Sequence, residues 1–196
     1  IGGIMKNSKT LFLVEGAVMI ALATVLSFIR VYKLPWGGSI TFLSMLPIVV
    51  FSIKYGTLHG ISTAFVFSLI QLFQGITDGL FAWGLNPVML ISCIFLDYIL
   101  AYTVIGTAGI LRNKGSAGWI FGTIIALILR FICHFISGAI IWKSFGDLWN
   151  GFSTDNPYLY SFLYNGSYML PEIIFTSLGA YLMFKIPQIK QIIRNK

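Results

Sequence analysis

The sequence predicts an all-α membrane protein, a bundle of six transmembrane helices whose two termini lie on the cytoplasmic side. Three observations support this fold class. Hydrophobic residues make up 57% of the 196 residues, charged residues only 10%, and the mean hydropathy is +0.87, whereas soluble domains carry about 25% charged residues. The apolar residues form long continuous runs without the alternation of a barrel strand. Lysine and arginine are concentrated on one side of those runs.

The apolar runs divide the chain, taken as a single domain over residues 1–196, into six predicted spans. Met5 is the expected natural start, with residues 1–4 left over from expression. A cleaved signal peptide is the alternative for the first run, since Ala21-Leu22-Ala23 resembles a cleavage site, but the run continues past it. Most runs approach the ~20 residues that cross ~30 Å of hydrocarbon. We place the spans at about 11–29, 40–53, 57–74, 87–111, 117–142 and 157–184.

Capping residues indicate where three of these spans begin. Asn86-Pro87 and Asn156-Pro157 each place a capping asparagine before a proline at the first helical position. Ser116 is the predicted cap of the fifth span.

Counting basic residues orients the bundle. Three lie on one side, namely Arg30, Lys33 and Lys143. The other nine outside the spans lie with the termini: Lys6, Lys9, Lys54, Arg112, Lys114, Lys185, Lys190, Arg194 and Lys196. The positive-inside rule then puts both termini in the cytoplasm. The long connections 75–85 and 143–156 fall on the outer side, so we expect the ligand to bind there. This topology accounts for the net charge of +7 without a nucleic-acid partner.

The motifs of common enzyme and metal sites are absent from the sequence. There is no phosphate-binding GxxxxGK[ST] loop, so the chain is not expected to hydrolyse nucleotide itself, and there is no HExxH, CxxC or GxSxG motif. Cys93 and Cys133 fall inside apolar spans and are predicted to be core residues. His59 lies in a short connection and is predicted to be a surface residue. We therefore expect no catalytic residues, no metal and no cofactor.

Four ionisable residues fall inside predicted spans: Asp97, Arg130, His134 and Glu172. Such residues are costly in a bilayer and are candidate functional sites. Side chains four residues apart share one helix face, and two such stripes occur. The fifth span carries Arg130, His134, Gly138 and Trp142, and the sixth carries Tyr160, Tyr164, Tyr168 and Glu172, with Asn165 beside them. These stripes predict an outward-facing ligand pocket between helices.

Structural interpretations compete with this prediction. Asp97 and Arg130 could form a buried ion pair that fixes helix register. Trp83 and Trp149 are better explained as members of an interfacial aromatic belt. Tyr168 and Gly138 could serve helix contacts.

The residue types in the stripes suggest the chemistry of the ligand. Trp and Tyr rings stack on flat rings and attract cations, and carboxylate and amide groups bind exocyclic amines. We expect a small heteroaromatic molecule, neutral or cationic. The second span is short and contains Pro47, as is common near transport sites. The preceding loop, Pro35-Trp36-Gly37-Gly38-Ser39, is a candidate lid that carries a tryptophan.

Four segments resemble the ThiT/YuaJ family, the thiamine-binding S-components of energy-coupling factor (ECF) transporters. They are Trp36-Gly37-Gly38-Ser39, Leu96-Asp97-Tyr98, RFICHFISGAIIW from Arg130 to Trp142, and YSFLYNGSYMLP from Tyr160 to Pro171. The resemblance runs from about Glu15 to the C-terminal basic tail, and the fifth- and sixth-span motifs are its most specific part.

The resemblance implies a role in binding thiamine for nine residues. Trp142 would stack on the aminopyrimidine ring, whose polar edge would meet Asp97, Arg130 and Tyr160. Trp36 and His134 would flank the thiazolium. The hydroxyethyl arm would lie near Tyr98, Asn165 and the backbone of Gly138. Some members have Glu in place of Asp97, Lys in place of Arg130 and Trp in place of Phe67, so these contacts are less closely defined.

The first span contains Ala17-Val18-Met19-Ile20-Ala21, a small-xxx-small pattern that allows another helix to approach closely. Packing inside the bundle is one explanation. The resemblance implies another, in which Ala17 and Ala21 dock a transmembrane coupling subunit that connects to two ATPases, in a bacterial plasma membrane.

Three rival functions remain open at this point. The chain could be an S-component for another flat vitamin or a pyrimidine precursor. It could be an intramembrane enzyme that uses His134 with Ser137 or Asp97. It could be a passive channel, although the deep polar residues cluster towards one half of the bundle.

Overall fold

The computed structural model describes residues 8–143, 146–149 and 151–194, which are mostly helical. Residues 1–4, the predicted expression remnant, lie outside the described residues. Helix α1 (Ser8–Phe28) leads into an antiparallel hairpin, β1 (Arg30–Lys33) and β2 (Ser39–Thr41), with a 3-10 turn at Pro35–Gly37 between the strands. Helices α2 (Leu46–Tyr55) and α3 (Thr57–Thr77) follow. A short 3-10 turn at Leu80–Ala82 comes before the fourth helix.

The second half of the chain contains four helices and another hairpin. Helix α4 (87–114) consists of α, π and 3-10 segments, and α5 (115–142) ends in a π segment. A hairpin of β3 (Gly146–Trp149) and β4 (Phe152–Thr154) precedes α6 (Pro157–Lys185). The described chain ends in α7 (Pro187–Arg194). Neither hairpin nor α7 was predicted from the sequence.

The caps confirm two of the three predicted helix starts. Asn86 Oδ1 accepts a hydrogen bond from the Met89 backbone N–H at 3.0 Å. Asn156 Oδ1 accepts from the backbone N–H groups of Tyr158 and Leu159 at 2.9 and 3.2 Å. The prediction for Ser116 is wrong, because α5 begins at Gly115 and Ser116 lies in its first turn without capping it.

The second predicted span, 40–53, is only partly helical. Its first residues pair with β1 as strand β2, and Leu43 has a positive φ of 58°. Helix α2 then begins at Leu46 with Pro47 in its first turn, where a missing N–H costs nothing. The 10 residues of α2 cover ~15 Å, about half the hydrocarbon thickness.

Helices α4 and α5 follow each other without a loop and pack together. The backbone leaves the helical region at Leu111, and Gly115 has a positive φ of 68°. The Trp119 Nε1–H donates to the Arg112 carbonyl oxygen at 2.8 Å across the turn. Further along, Gly122 lies against the backbone of Ala108. The chain therefore reverses direction at Gly115, in agreement with the prediction of separate fourth and fifth spans.

In the part of the chain that the structure describes, three helical stretches are long and apolar enough to cross a membrane: Thr10–Phe28, Thr57–Thr77 and the folded-back stretch Pro87–Trp142. A fourth results if α6 and α7 are counted together. Many large apolar side chains on these helices are exposed, including Leu13, Phe73 and Phe121, as expected for surfaces in contact with lipid. The number of six crossings and the cytoplasmic termini stay predictions.

The core depends on very close contact between α2, α3 and α4. The Ser52 hydroxyl on α2 donates to the Gly106 carbonyl oxygen at 2.5 Å and accepts from the Gly109 N–H at 2.9 Å. Gly60 on α3 lies directly against Gly106. Fully buried apolar side chains such as Ile48 and Phe67 fill the space around this contact. The absence of side chains at the glycines lets the three backbones meet.

We predict that Gly106→Ala destabilises the protein, because an added Cβ would overlap the backbone of Gly60 and Ile61. Overpacking of this kind costs about 1–3 kcal/mol. Gly166→Ala is the matched control, since nothing lies within 4 Å of its Cβ position on α6. Thermal unfolding in detergent measures both variants. Equal melting temperatures for the two would contradict the close contact.

Candidate ligand-binding site

A cavity of about 410 Å³ lies between the loop before β2 and helices α4, α5 and α6. Ligand pockets typically measure roughly 300–1,000 Å³, so the cavity suits a small molecule. Eight of the nine residues predicted as ligand-binding line it, namely Asp97, Tyr98, Arg130, His134, Gly138, Trp142, Tyr160 and Asn165. The side chain of the ninth, Trp36, lies outside the described part of the chain. Whether the eight residues bind a ligand stays a prediction.

Two π-helical segments carry half of these eight residues. Ile94–Leu100 includes Asp97 and Tyr98, and Ser137–Trp142 includes Gly138 and Trp142. The i→i+5 hydrogen bonds of a π turn are frequent at functional sites. A π turn rotates less per residue than an α turn, so residues spaced by four stay better aligned along one face. The stripe that ends at Trp142 therefore stays directed at the cavity.

The Asp97 carboxylate is held by α5 through two hydrogen bonds. One oxygen lies 2.9 Å from His134 Nδ1, and the other accepts a hydrogen bond from the Ser137 hydroxyl. The alternative interpretation, in which Asp97 forms an ion pair with Arg130, is therefore wrong. The carboxylate bonds to His134, which lies one helical turn beyond Arg130 on α5. Both residues are on the same helix face, so the sequence alone could not tell which of them Asp97 contacts.

Arg130 is buried and forms no salt bridge with any described carboxylate. Its Nη1 lies 2.8 Å from Met45 Sδ, and its Cζ lies 4.3 Å from the centre of the Tyr102 ring. Arg130 Nε and His134 Nε2 are buried without a hydrogen-bond partner. Unpaired buried polar atoms are costly, and these two belong to residues that line the cavity.

Asn165 and Gly138 join α5 to α6 at the cavity. Asn165 Nδ2 donates to the carbonyl oxygens of His134 and Ser161 at 3.2 and 2.9 Å, and its Oδ1 accepts from the Tyr168 hydroxyl at 2.7 Å. A Cβ at Gly138 would collide with the Ser161 side chain. The helix-contact interpretation of Gly138 and Tyr168 therefore describes real contacts, although both residues also line the cavity.

Aromatic rings form much of the remaining wall. The rings of Trp83 and Trp142 are 5.6 Å apart and tilted by 57°, and Tyr160 stacks on Tyr164 at 6.3 Å. Trp83 lines the cavity. The sequence analysis, which placed Trp83 in the interfacial belt, did not identify this position. No spacing could have revealed it, because it lies on a loop. The side chain of Trp149, assigned to the same belt, is not among those described.

The loop predicted as a lid lies against the cavity. The Tyr164 hydroxyl donates to the Pro35 carbonyl oxygen, and Gly38 packs closely on Tyr164 and Tyr168. Gly37, with a φ of 91°, lies against the Trp83 ring. The α6 stripe thus contacts the loop as well as the cavity, a double role that the sequence did not indicate.

Glu172, the last member of that stripe, does not line the cavity. One of its oxygens accepts hydrogen bonds from the Thr41 backbone N–H at 2.5 Å and the Thr41 hydroxyl at 2.7 Å. The Thr41 hydroxyl also bonds to Ser44 at 2.7 Å. Glu172 therefore anchors the end of β2 to α6. Phe67 is likewise buried in the core, where it packs edge-on against Tyr102.

The polar cluster does not have the arrangement of a nucleophilic enzyme. Nucleophilic catalysis needs a base in hydrogen-bond contact with the hydroxyl, but the Ser137 hydroxyl donates to Asp97 rather than to His134. Within the described residues no group of three His, Cys, Asp or Glu side chains could hold a metal ion.

Ala17 and Ala21 lie on the face of α1 that points away from the other helices, where both side chains are exposed. They do not take part in packing inside the bundle. Val14, Val18 and Val25 are exposed on the same helix, which leaves a surface that lipid or another protein can cover.

Several apolar helices around a buried, aromatic-walled cavity define a multi-pass membrane protein that handles a small molecule. Residues 13–191 match the family described as "Thiamine transporter protein (Thia_YuaJ)", and the chain belongs to this family. It is 31% identical over 195 residues to thiamine transporter ThiT of Bacillus subtilis (strain 168), with 92% of this chain and 94% of that protein covered. The resemblance predicted from the four segments is confirmed.

A solved structure of ThiT from Listeria monocytogenes has the same fold. It superimposes with a TM-score of 0.71 over 94% of this chain and 99% of that chain, at 23% identity. Because the family and the relative are transporters, the expectation of a non-enzymatic role in transport is also confirmed.

We predict that Thr41→Val lowers the free energy of unfolding by about 1–3 kcal/mol, because it removes a hydroxyl donor from the buried Glu172 carboxylate. Thermal unfolding in detergent measures the effect. Thr107→Val is the matched control, since the Thr107 hydroxyl donates only to the Val104 carbonyl of its own helix, at 2.7 Å. Equal losses in the two variants would show that the contact between Thr41 and Glu172 is not important for stability.

Proposed function

We propose that this protein is the substrate-binding S-component that captures thiamine for ATP-driven uptake through an ECF transporter complex. The observation that carries the proposal is the convergence of eight predicted residues from α4, α5 and α6 on one cavity of about 410 Å³. Membership of the thiamine transporter family supports the choice of ligand. The name of the Bacillus subtilis relative supports it in the same way.

The chemistry of the cavity suits a cationic molecule with two flat rings. Trp142 offers an indole face for the aminopyrimidine, while Asp97, Arg130 and Tyr160 meet its polar edge. The amino group donates to the carboxylate, and ring nitrogens accept from the guanidinium. Neither role needs an ion pair between Asp97 and Arg130, and the structure has none.

The thiazolium cation would lie between Trp36 and His134. Aromatic faces stabilise cations, and the nearby Asp97 carboxylate favours positive charge. Tyr98, Asn165 and the Gly138 backbone would surround the hydroxyethyl arm. The lid loop, already in contact with Tyr164 and Trp83, would then cover the bound molecule.

The proposed topology places this cavity on the outer side of a bacterial plasma membrane, with both termini in the cytoplasm. Six crossings follow if α2 counts as a short span and the chain reverses at Gly115. The chain has no nucleotide-binding loop of its own. Energy must therefore come from partners, a transmembrane coupling subunit and two ATPases.

Thiamine should quench the tryptophan fluorescence of the purified protein, and Trp142→Ala should weaken binding roughly 5- to 150-fold. The expected loss reflects the ~1–3 kcal/mol that stacking of a base on an aromatic side chain contributes. Isothermal titration calorimetry measures the variant, because the substitution also removes a fluorophore. Phe121→Ala on the lipid-facing side of α5, where Phe121 is 61% exposed, should bind as the wild type does.

The same titration distinguishes the rival ligands. Another flat vitamin or a pyrimidine precursor that binds more tightly than thiamine would overturn the assignment of thiamine. An unchanged affinity of Trp142→Ala would refute the stacking role of that residue.

Bulky residues on the outward face of α1 should block assembly with the coupling subunit without changing the affinity for thiamine. We expect Ala17→Trp and Ala21→Trp to lose the co-purifying coupling subunit, because a large side chain prevents close helix approach. Leu178→Trp on α6, at a position 51% exposed, is the control and should assemble normally. Normal assembly of both alanine variants would rule out docking through this face.

A further inference from the structure

Helix α7 runs across the end of α6 instead of continuing it. The two helices meet at an angle of 94°. Ile186 has extended backbone angles between them, and Pro187 begins α7. If α6 crosses the bilayer, a helix at this angle lies in the plane of the membrane. That is the orientation of interfacial amphipathic helices.

The side chains of α7 divide into apolar and polar faces. Ile193 is only 7% exposed and belongs to the hydrophobic core, and Ile189 packs against it. Gln188 and Gln191 are exposed on the other face. Ile192 is 53% exposed beside the packed face. The core therefore holds the helix in place, while one apolar edge stays uncovered.

Two lysines lie on either side of the bend. Lys185 is exposed, with its Nζ 4.4 Å from the centre of the Tyr181 ring, and Lys190 is partly exposed. Neither lysine forms a salt bridge with a described carboxylate. Around the bend, Tyr181, Leu182 and Ile186 are 42%, 55% and 47% exposed. The surface thus combines unpaired positive charge with exposed apolar side chains.

We propose that this surface binds an anionic phospholipid, with its headgroup at Lys185 and Lys190 and its acyl chains along Leu182 and Ile186. Charge complementarity selects a negatively charged headgroup, and the adjacent apolar side chains match the chains below it. Leu182 lies inside the predicted span 157–184 and is exposed, so acyl chains can reach it and a soluble protein cannot. Lipid is therefore the better occupant. The site is separate from the cavity and does not depend on the identity of the transported molecule.

Native mass spectrometry of the detergent-solubilised protein tests the proposal. The protein is titrated with phosphatidylglycerol and, in parallel, with phosphatidylcholine of the same chain length. The wild type should prefer phosphatidylglycerol. Because a lysine near an anionic surface contributes ~1 kcal/mol, Lys185→Gln and Lys190→Gln should each reduce that preference roughly fivefold, and the double variant roughly 30-fold.

Lys33→Gln is the matched control, since it also removes one positive charge but lies on β1, where Lys33 pairs with Asp78 at 3.4 Å. It should keep the full preference. Equal binding of the two lipids by the wild type would overturn the proposal. So would a double variant that keeps the preference, or a loss in Lys33→Gln as large as in Lys185→Gln.

Co-purification with the coupling subunit separates lipid binding from protein docking. The double variant should assemble normally. If it keeps its lipid preference and fails to assemble, the surface around α7 docks a protein and the lipid proposal is wrong.

Discussion

The bilayer interior offers no water, so every polar group buried there must find its partner within the protein. This constraint explains several of the long-range polar contacts. Glu172 binds Thr41, Ser52 binds the backbone at Gly106 and Gly109, and Asp97 binds His134 and Ser137. Each contact joins elements that are distant in sequence. The arrangement of the helices therefore depends on polar groups as much as on apolar packing.

Among the described residues, six buried side-chain polar atoms are exceptions to this rule, and two of them belong to residues that line the cavity. Arg130 Nε and His134 Nε2 are buried and unpartnered, and both residues line the cavity. Glu172 Oε2 also lacks a partner, but Glu172 lies away from the cavity and its other oxygen is fully used. Neighbouring protein atoms cover these two nitrogens, so a ligand could reach them only after one of the side chains moves. The stronger support for the proposed binding function is the aromatic part of the cavity wall, which includes Trp83, Trp142 and Tyr160.

The two ends of the bundle have different architectures. At one end, close contacts between glycines hold α2, α3 and α4 together, and α7 closes the core. At the other, helices α4 and α5 become π-helical and the loop before β2 packs over the cavity. A tightly packed end beside an end built from a loop and wide helical turns is consistent with the proposed binding of a small molecule in the cavity. The lid loop contacts Tyr164 and Tyr168 of α6, and Glu172 of the same helix holds the end of β2 that follows the loop. The helix that lines the cavity therefore also positions the loop.

The sequence by itself determined the membrane class, most helix bounds and eight of the residues that line the cavity, of which Tyr98 came only from the family resemblance. Composition and four-residue spacing can be read from the local sequence, and a bilayer constrains them strongly because spans must be apolar and helical. Only the tertiary structure decided that Asp97 pairs with His134 and not with Arg130, that Trp83 lines the cavity, and that Glu172 anchors β2. Each of these depends on a contact between segments far apart in the chain, and no local pattern records which partner a side chain will meet. The π turns and the perpendicular α7 belong to the same category, because packing against neighbouring helices selects them over a continuous α-helix.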